Sequence, residues 1–204
     1  MQTSAVSLAG GEISLMKYEA LAILRAGVHS GEYYEATNDK GELVGYTMWM
    51  PPGNEIFSTS VSIFYVLVVF GIGLSLNYEI SEEQKNLGYY EFMSRLSDEA
   101  QGYFNSKYID EFPEFVASLL GPTGQKDSWW LHMAMIHRDY QRKGVLRALL
   151  ELVQTKAIRA GESLATCTTN DENIRVYTGL GFEYKGSKMM SSPWGEWPIH
   201  VFKQ

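Results

Sequence analysis

Residues 129–150, WWLHMAMIHRDYQRKGVLRALL, constrain the architecture more than any other part of the chain. Residues 129–136 are apolar except for His132, the pattern of a strand in mid-sheet that is covered on both faces. Residues 145–160 have the period of a helix. Leu146, Leu149, Leu150, Val153, Ala157 and Ala160 fall at i, i+3, i+4, i+7, i+11 and i+14, and Gly161 supplies a stop. Between the two lies a basic loop: Arg138, Arg142, Lys143 and Arg147 face a single acid, Asp139. A strand that feeds a helix through such a glycine-containing turn is an anion site. The first helical N–H groups point outward, the helix dipole favours negative charge, and Arg142 and Lys143 add full charges. A phosphate-bearing ligand is the expectation.

The remaining patterns supply a sheet around this unit. Residues 15–28 read as a helix, with Leu15, Tyr18 and Ala22 at i, i+3 and i+7. Residues 32–37 and 42–50 read as two strands around the turn Asn38-Asp39-Lys40-Gly41, and Pro51-Pro52 ends the second. Residues 81–121 are helical in tone. Residues 163–168 read as a strand, 173–178 as a short helix stopped by Gly179 and Gly181, and 182–186 and 199–202 as closing strands. A hairpin followed by strand–helix–strand–helix–strand predicts an α/β protein with a mixed central sheet flanked by helices. At 204 residues, one domain over 1–204 is expected.

Composition narrows the function classes. A formal net charge of −7 argues against a nucleic-acid partner and sets the basic loop apart from its background. One cysteine, Cys167, leaves no disulfide framework and no cysteine-cluster zinc site, so no metal is expected. It fits a reducing compartment, cytoplasmic or nuclear. The N-terminal MQTSAVSLAGGEIS lacks the basic start and apolar run of a signal peptide. Residues 61–76, VSIFYVLVVFGIGLSL, carry no charge, and the run is shorter than the roughly 20 residues of a transmembrane helix. Three readings stay open for it: a buried core helix or hairpin, a membrane anchor, or a translated intron. The last is compatible with the ordinary polar-to-amphipathic continuity of EIFSTS with EEQKNLGYYEFM when 61–81 are removed.

Gln141-Arg142-Lys143-Gly144-Val145-Leu146 resembles the Q/R-x-x-G-x-G/A signature of the GNAT superfamily of N-acetyltransferases, with Leu146 where Gly or Ala is usual. Downstream, Asn173, Tyr177 and Gly181-Phe182 resemble that family's N-x-x-x-Y-x-x-x-G-F pattern, in family order and at family spacing. Residues 31–53 are similar to its second and third strands, whereas a first strand is not evident before Leu15. The resemblance implies a GNAT-like acetyltransferase fold with a helical and apolar insertion between the third and fourth family strands.

It also implies roles. Backbone N–H groups from Arg142 through Leu146 would cradle the pyrophosphate of acetyl coenzyme A, with Arg142, Lys143 and Arg147 as charge and Gly144 allowing close approach. The backbone of Met135 and Ile136 would bind the pantetheine like an added strand. Asn173 would meet a pantetheine amide, or else cap the short helix. Tyr177 would be the general acid for the departing thiolate, or a packing tyrosine. His132 is the titratable side chain of the apolar run and a candidate base, or a hydrogen-bonded structural residue. A water relay to Glu32 or Glu35 is another route. Cys167 has no His–carboxylate support evident for a nucleophile. Trp194 and Trp197 would wall the acceptor site or pack over the sheet edge.

The resemblance therefore implies an acyltransferase, of the kind that transfers groups other than aminoacyl groups, moving acetyl from acetyl coenzyme A to a small-molecule or peptide amine by direct attack. Two other classes remain: a non-catalytic coenzyme A-binding or regulatory module, and a membrane-tethered member using 61–76.

Overall fold

A computed structural model describes residues 3–57 and 82–204. The hairpin forms where the turn residues require it. Strands β1 (Glu32–Thr37) and β2 (Leu43–Met50) are joined by a turn in which Asn38 Oδ1 accepts from the N–H groups of Lys40 and Glu42, while Gly41 takes a φ of +77°. Then follow β3 (Ser128–Ile136), β4 (Ser163–Thr168), β5 (Glu183–Met190) and β6 (Trp197–Lys203). They complete a mixed six-stranded sheet in the order β1-β2-β3-β4-β6-β5, in which β3 and β4 are the parallel pair. Strand β5 runs past Gly186, the end that the pattern predicts, because the register shifts between Tyr184 and Gly186 and the ladder resumes beyond this bulge.

The helices are α1 (Thr3–Leu8), α2 (Met16–Ser30), α3 (Tyr90–Arg95), α4 (Asp98–Tyr103), α5 (Phe112–Leu120), α6 (Val145–Ala160) and α7 (Glu172–Gly179). Wider π-type turns at Lys85–Tyr89 and Phe104–Glu111 lead into α3 and α5. Helix α6 and strand β4 occupy the expected residues. Helix α2 starts one residue late and ends two residues late relative to the pattern. Among the described residues no strand precedes β1, and residues 3–8 are helical instead. The helical insertion between β2 and β3 is present from residue 82 onward; the apolar run 61–76 lies outside the described residues.

Two layers cover the sheet. On one face Leu149, Leu150, Val153 and Ala157 of α6 bury against Trp49, Trp129, Leu131, Leu164 and Phe202. Each large side chain so buried contributes about 1.5–3 kcal/mol. On the other face Val116 of α5 packs on Met50, Trp130, Ala165 and Val201. Helix α2 lies on this face too, so tightly that a Cβ on Gly27 would stand 2.3 Å from Met48 Sδ. A third cluster, Phe92, Leu96, Ala100, Tyr103 and Phe104, gathers Leu15, Tyr18 and Trp194. Both tail tryptophans are absorbed in packing: Trp197 Nε1 donates to Tyr103 Oη at 2.9 Å, and Trp194 lies against Gly11.

Candidate active site

Strands β3 and β4 pair over Ser128–Leu131 and Ser163–Thr166 and then part. Residues Cys167 and Thr168 stay with β6, while the rest of β3 continues beside β2. The C-terminal half of β3 is therefore open on one edge, and its faces are not both covered to the end, since Met135 is 56% exposed. Partners jump from Trp49–Leu131 to Met48–Met133, which leaves His132 as the extra residue of a bulge at the point of divergence.

The register decides which backbone groups face the gap. His137 N–H donates to Val44 C=O at 2.8 Å, and antiparallel alternation from that pair turns the groups of Met135 toward β2. The groups of Ala134 and Ile136 turn away from β2, along the gap. The backbone of Ile136 thus borders the gap, whereas Met135 pairs with Tyr46 and receives the Tyr46 hydroxyl on Sδ at 3.0 Å. Ala134 is a gap residue with no signal of its own in the sequence. Gln141 reaches back from the loop, its Nε2 donating to Ile136 O at 3.1 Å.

At the far end of the gap the loop before α6 is wound for anions. Arg142 has a φ of +60° and Gly144 one of +84°, so two left-handed residues flank Lys143. Successive backbone N–H groups in such turns converge on a concavity that favours anions. Gly144 is the N-cap of α6, and among the described residues no side chain accepts from the first-turn N–H groups of Val145, Leu146 and Arg147. Arg142 and Lys143 are exposed, and Lys143 Nζ lies 5.4 Å from the Tyr140 ring centroid. Leu146 packs inward on the Trp49–Leu150 cluster, which leaves its backbone free to face outward. Arg147 is already engaged: its guanidinium donates to Gly179 O at 3.0 Å and ties the start of α6 to the end of α7.

Helix α7 brings the second motif to the opposite wall. Asn173 Nδ2 donates to Thr168 Oγ1 at 2.9 Å, at the tip of β4. The N-cap of α7 is Asp171, without a side-chain cap bond; Asn170 Oδ1 accepts from Glu172 N–H at 3.0 Å in the turn that leads into the helix, and Asn173 lies within its first turn. Tyr177 is buried against Phe182 and Phe202, and its hydroxyl meets Thr166, whose Oγ1 donates to Leu131 O at 3.0 Å. The phenol therefore ends at the last paired residues before the gap. Burial, reinforced by the nearby Cys167 thiol and opposed by the Thr166 hydrogen bond, pushes Tyr177 up to about 12. It stays protonated, a donor in waiting. Thr166 and Thr168, two residues apart on β4, are site residues that a short apolar strand pattern does not single out.

The candidate proton acceptors fare differently. Burial lowers His132 to about 4, so its imidazole is neutral but a weak base. Burial works to raise Glu32, but hydrogen bonds from Lys156, with Nζ at 2.6 Å, and from Tyr34 hold it below the usual carboxylate range. Glu35 is exposed on β1. Cys167 is half-buried, and burial pushes its thiol up to about 12, which removes the thiolate a nucleophile needs. Among the described residues no group of three or more His, Cys, Asp or Glu is placed to hold a metal ion, and no helix is long and apolar enough to cross a membrane.

Residues 73–182, more than half of the chain, match the acetyltransferase (GNAT) family. The chain belongs to the GNAT acetyltransferase family. GNAT enzymes use acetyl coenzyme A as acyl donor and act on small-molecule or protein amines. No curated protein matches the sequence. Among solved structures the chain is similar to the ribosomal-protein-S18-alanine N-acetyltransferase from Escherichia coli, at 13% identity over 85% of this chain and 68% of that one, with a TM-score of 0.42. It is similar also to a histone acetyltransferase HPA2 and related acetyltransferase from Corynebacterium glutamicum, at 16% identity over 93% and 73%, with a TM-score of 0.48. A third is a mosquito arylalkylamine N-acetyltransferase like 5b, at 11% identity over 84% and 73%, with a TM-score of 0.45.

Proposed function

We propose that residues 1–204 form one cytoplasmic N-acetyltransferase domain that transfers acetyl from acetyl coenzyme A to an amine by direct attack. The observation that carries this reading is the β3–β4 gap. It is flanked at one end by the first-turn N–H groups of α6, which no side chain among the described residues accepts from, and at the other by the protonated phenol of Tyr177. These residues fit the donor. The amides of Val145, Leu146 and Arg147, with the charges of Arg142 and Lys143, hold the pyrophosphate. The gap-facing backbone of Ala134 and Ile136 binds pantetheine amides as a neighbouring strand would, and Asn173 closes the opposite wall. Bound there, the donor supplies an activated acetyl thioester.

The chain's own contribution is mostly position and proton. Backbone amides at the bulge hold the thioester carbonyl and favour negative charge on its oxygen during attack. Tyr177 donates its proton to the departing sulfur. The purified protein is tested with acetyl coenzyme A and a panel of primary amines, with products read by mass spectrometry. Acetylation of at least one amine supports the reading. Coenzyme A binding without acetylation of any amine favours a regulatory module.

A further inference from the structure

Within the acetyltransferase reading, Tyr177 has to present its phenol to the departing sulfur and Asn173 its amide to the donor, and both ride on α7. They lie four residues apart on one face, so the orientation of a single short helix sets both. The far end of α7 is well held. The Tyr177 ring lies 5.2 Å from that of Phe202 on β6 and 5.7 Å from that of Phe182, centroid to centroid, and Arg147 holds Gly179 O. Ring contacts fix position but tolerate rotation. At the start of α7, Asn173 Nδ2 reaches Thr168, but that side chain has the donor to serve.

A second polar tie joins the start of α7 to the sheet. His200 on β6 pairs with Thr168 on β4, and it shares the α6 face of the sheet with Phe202, two residues on. Its side chain is 6% exposed, and both ring nitrogens are engaged: Nε2 lies 2.8 Å from Asp171 Oδ1, and Nδ1 lies 3.2 Å from Tyr184 Oη. With a carboxylate as partner Nε2 carries the proton, and the neutral ring accepts from the Tyr184 hydroxyl on Nδ1. Tyr184 is braced in turn, its ring 5.4 Å from that of Phe202. Asp171 is the N-cap of α7, yet its carboxylate makes no cap bond. Aspartate is among the best capping residues, and here that side chain is committed to His200 instead. The Asp171 carbonyl accepts from Ile174 N–H at 3.1 Å, so the residue that meets His200 is built into the first turn of the helix.

We infer that Asp171 and His200 are positioning residues for the transfer step, their hydrogen bond fixing the orientation of α7 so that Tyr177 meets the sulfur and Asn173 faces the donor. The imidazole is a buried post on β6, braced by Tyr184, and the carboxylate is the hook on the helix. A hydrogen bond to an ionised acceptor is short and directional, which the ring contact of Tyr177 with Phe202 is not. Without it, α7 keeps its apolar anchor at Tyr177 and turns about that anchor. A displacement of about 1 Å at the phenol is enough to cost roughly 10²-fold in rate.

This inference rests on the acetyltransferase reading, and the test separates the two. Acetyl coenzyme A binding is measured by calorimetry, and transfer to tyramine, spermidine and a lysine peptide by steady-state kinetics. The proteins are wild type, Asp171→Ala, Asp171→Asn, and Asp171→Ala in a Tyr177→Phe background. The Asp171 side chain is 77% exposed, so its truncation opens no cavity, and circular dichroism reports the fold. Asp171→Ala should lower kcat by roughly 10–10²-fold and leave KM for the amine within about two-fold of wild type. Its acetyl coenzyme A affinity should weaken by roughly 2–10-fold, the worth of one neutral hydrogen bond from Asn173. Asp171→Asn, whose amide oxygen still accepts from His200, should recover most of the wild-type kcat. In the Tyr177→Phe background Asp171→Ala should lower kcat by no more than about three-fold further, because the group it positions is gone. Wild-type kinetics in Asp171→Ala overturn the inference, as does an Asp171→Asn variant no faster than Asp171→Ala. So does an equal loss of kcat with and without the Tyr177 phenol, which makes the bond a support of the fold alone. Wild type that binds acetyl coenzyme A yet acetylates none of the three amines overturns the acetyltransferase reading, and the positioning role with it.

Discussion

Glu19 has a consequence for stability that needs no substrate. In the folded chain its carboxyl titrates at about 8, against 4.5 for an ordinary glutamate. The folded state therefore keeps a proton that the unfolded chain releases. Stability from that proton is complete below about 4.5 and is lost as pH rises through 8. At about 1.36 kcal/mol per pH unit the ceiling is roughly 5 kcal/mol. Glu19 is only partly shielded from solvent, so water and side-chain relaxation should leave about half of this, roughly 2–3 kcal/mol. Against a typical 5–15 kcal/mol of folding free energy, such a change is readily measured. Glu19→Gln keeps the shape and removes the titration, and all other groups cancel between the two proteins. Urea unfolding at pH 4.5 and pH 8.5 is the assay, with equal m-values as the check on comparability. The variant should gain on wild type by roughly 2–3 kcal/mol between those pH values. Stabilities that run parallel with pH would refute the argument that Glu19 is desolvated and unpartnered.

Two further outcomes follow from the site. Gly144 has a φ of +84°, and a Cβ there would meet nothing within 4 Å, so Gly144→Ala should cost about 1–2 kcal/mol of stability from backbone strain alone. The same methyl projects beside the anion cradle, and acetyl coenzyme A affinity by calorimetry should fall more than the stability loss explains; unchanged affinity would place the phosphates elsewhere. Tyr177→Phe should lower kcat by roughly 10²-fold or more while leaving acetyl coenzyme A affinity within a few-fold of wild type, because only the proton donor is removed. Steady-state kinetics with an undiminished kcat would take the general-acid role from it.

The elements with strong local signals are the ones legible in the sequence. Helix α6 carries a long apolar stripe and a glycine stop, and its bounds match the pattern to the residue. The loop before it is equally legible, since Gly144 and its basic neighbours are local features. What depends on a partner strand is not. Whether Met135 or Ala134 faces the gap is set by the register against β2, and the bulge at His132 exists only in that pairing. The opening of β3 likewise follows from where β4 leaves it, which no residue of β3 encodes. Asn173 is a plausible cap on paper, but the helix starts a residue earlier and its side chain goes to Thr168 at the end of β4, a partner that only the fold supplies. Glu19 looks like an ordinary first-turn acid on an amphipathic helix, and its burial depends on what packs against the start of α2, which its own helix does not encode.

The central claim is that the loop from Gln141 to Leu146 is a cradle for the diphosphate of acetyl coenzyme A. Titration calorimetry of acetyl coenzyme A into wild type and into the Arg142→Ala/Lys143→Ala double variant tests it most directly. Hydrogen bonds to charged groups are worth about 1.5–3 kcal/mol, so the double variant should bind roughly 10–100-fold more weakly, with a shallower salt dependence. Wild type that does not bind acetyl coenzyme A, or a double variant that binds it as tightly as wild type, would contradict the account.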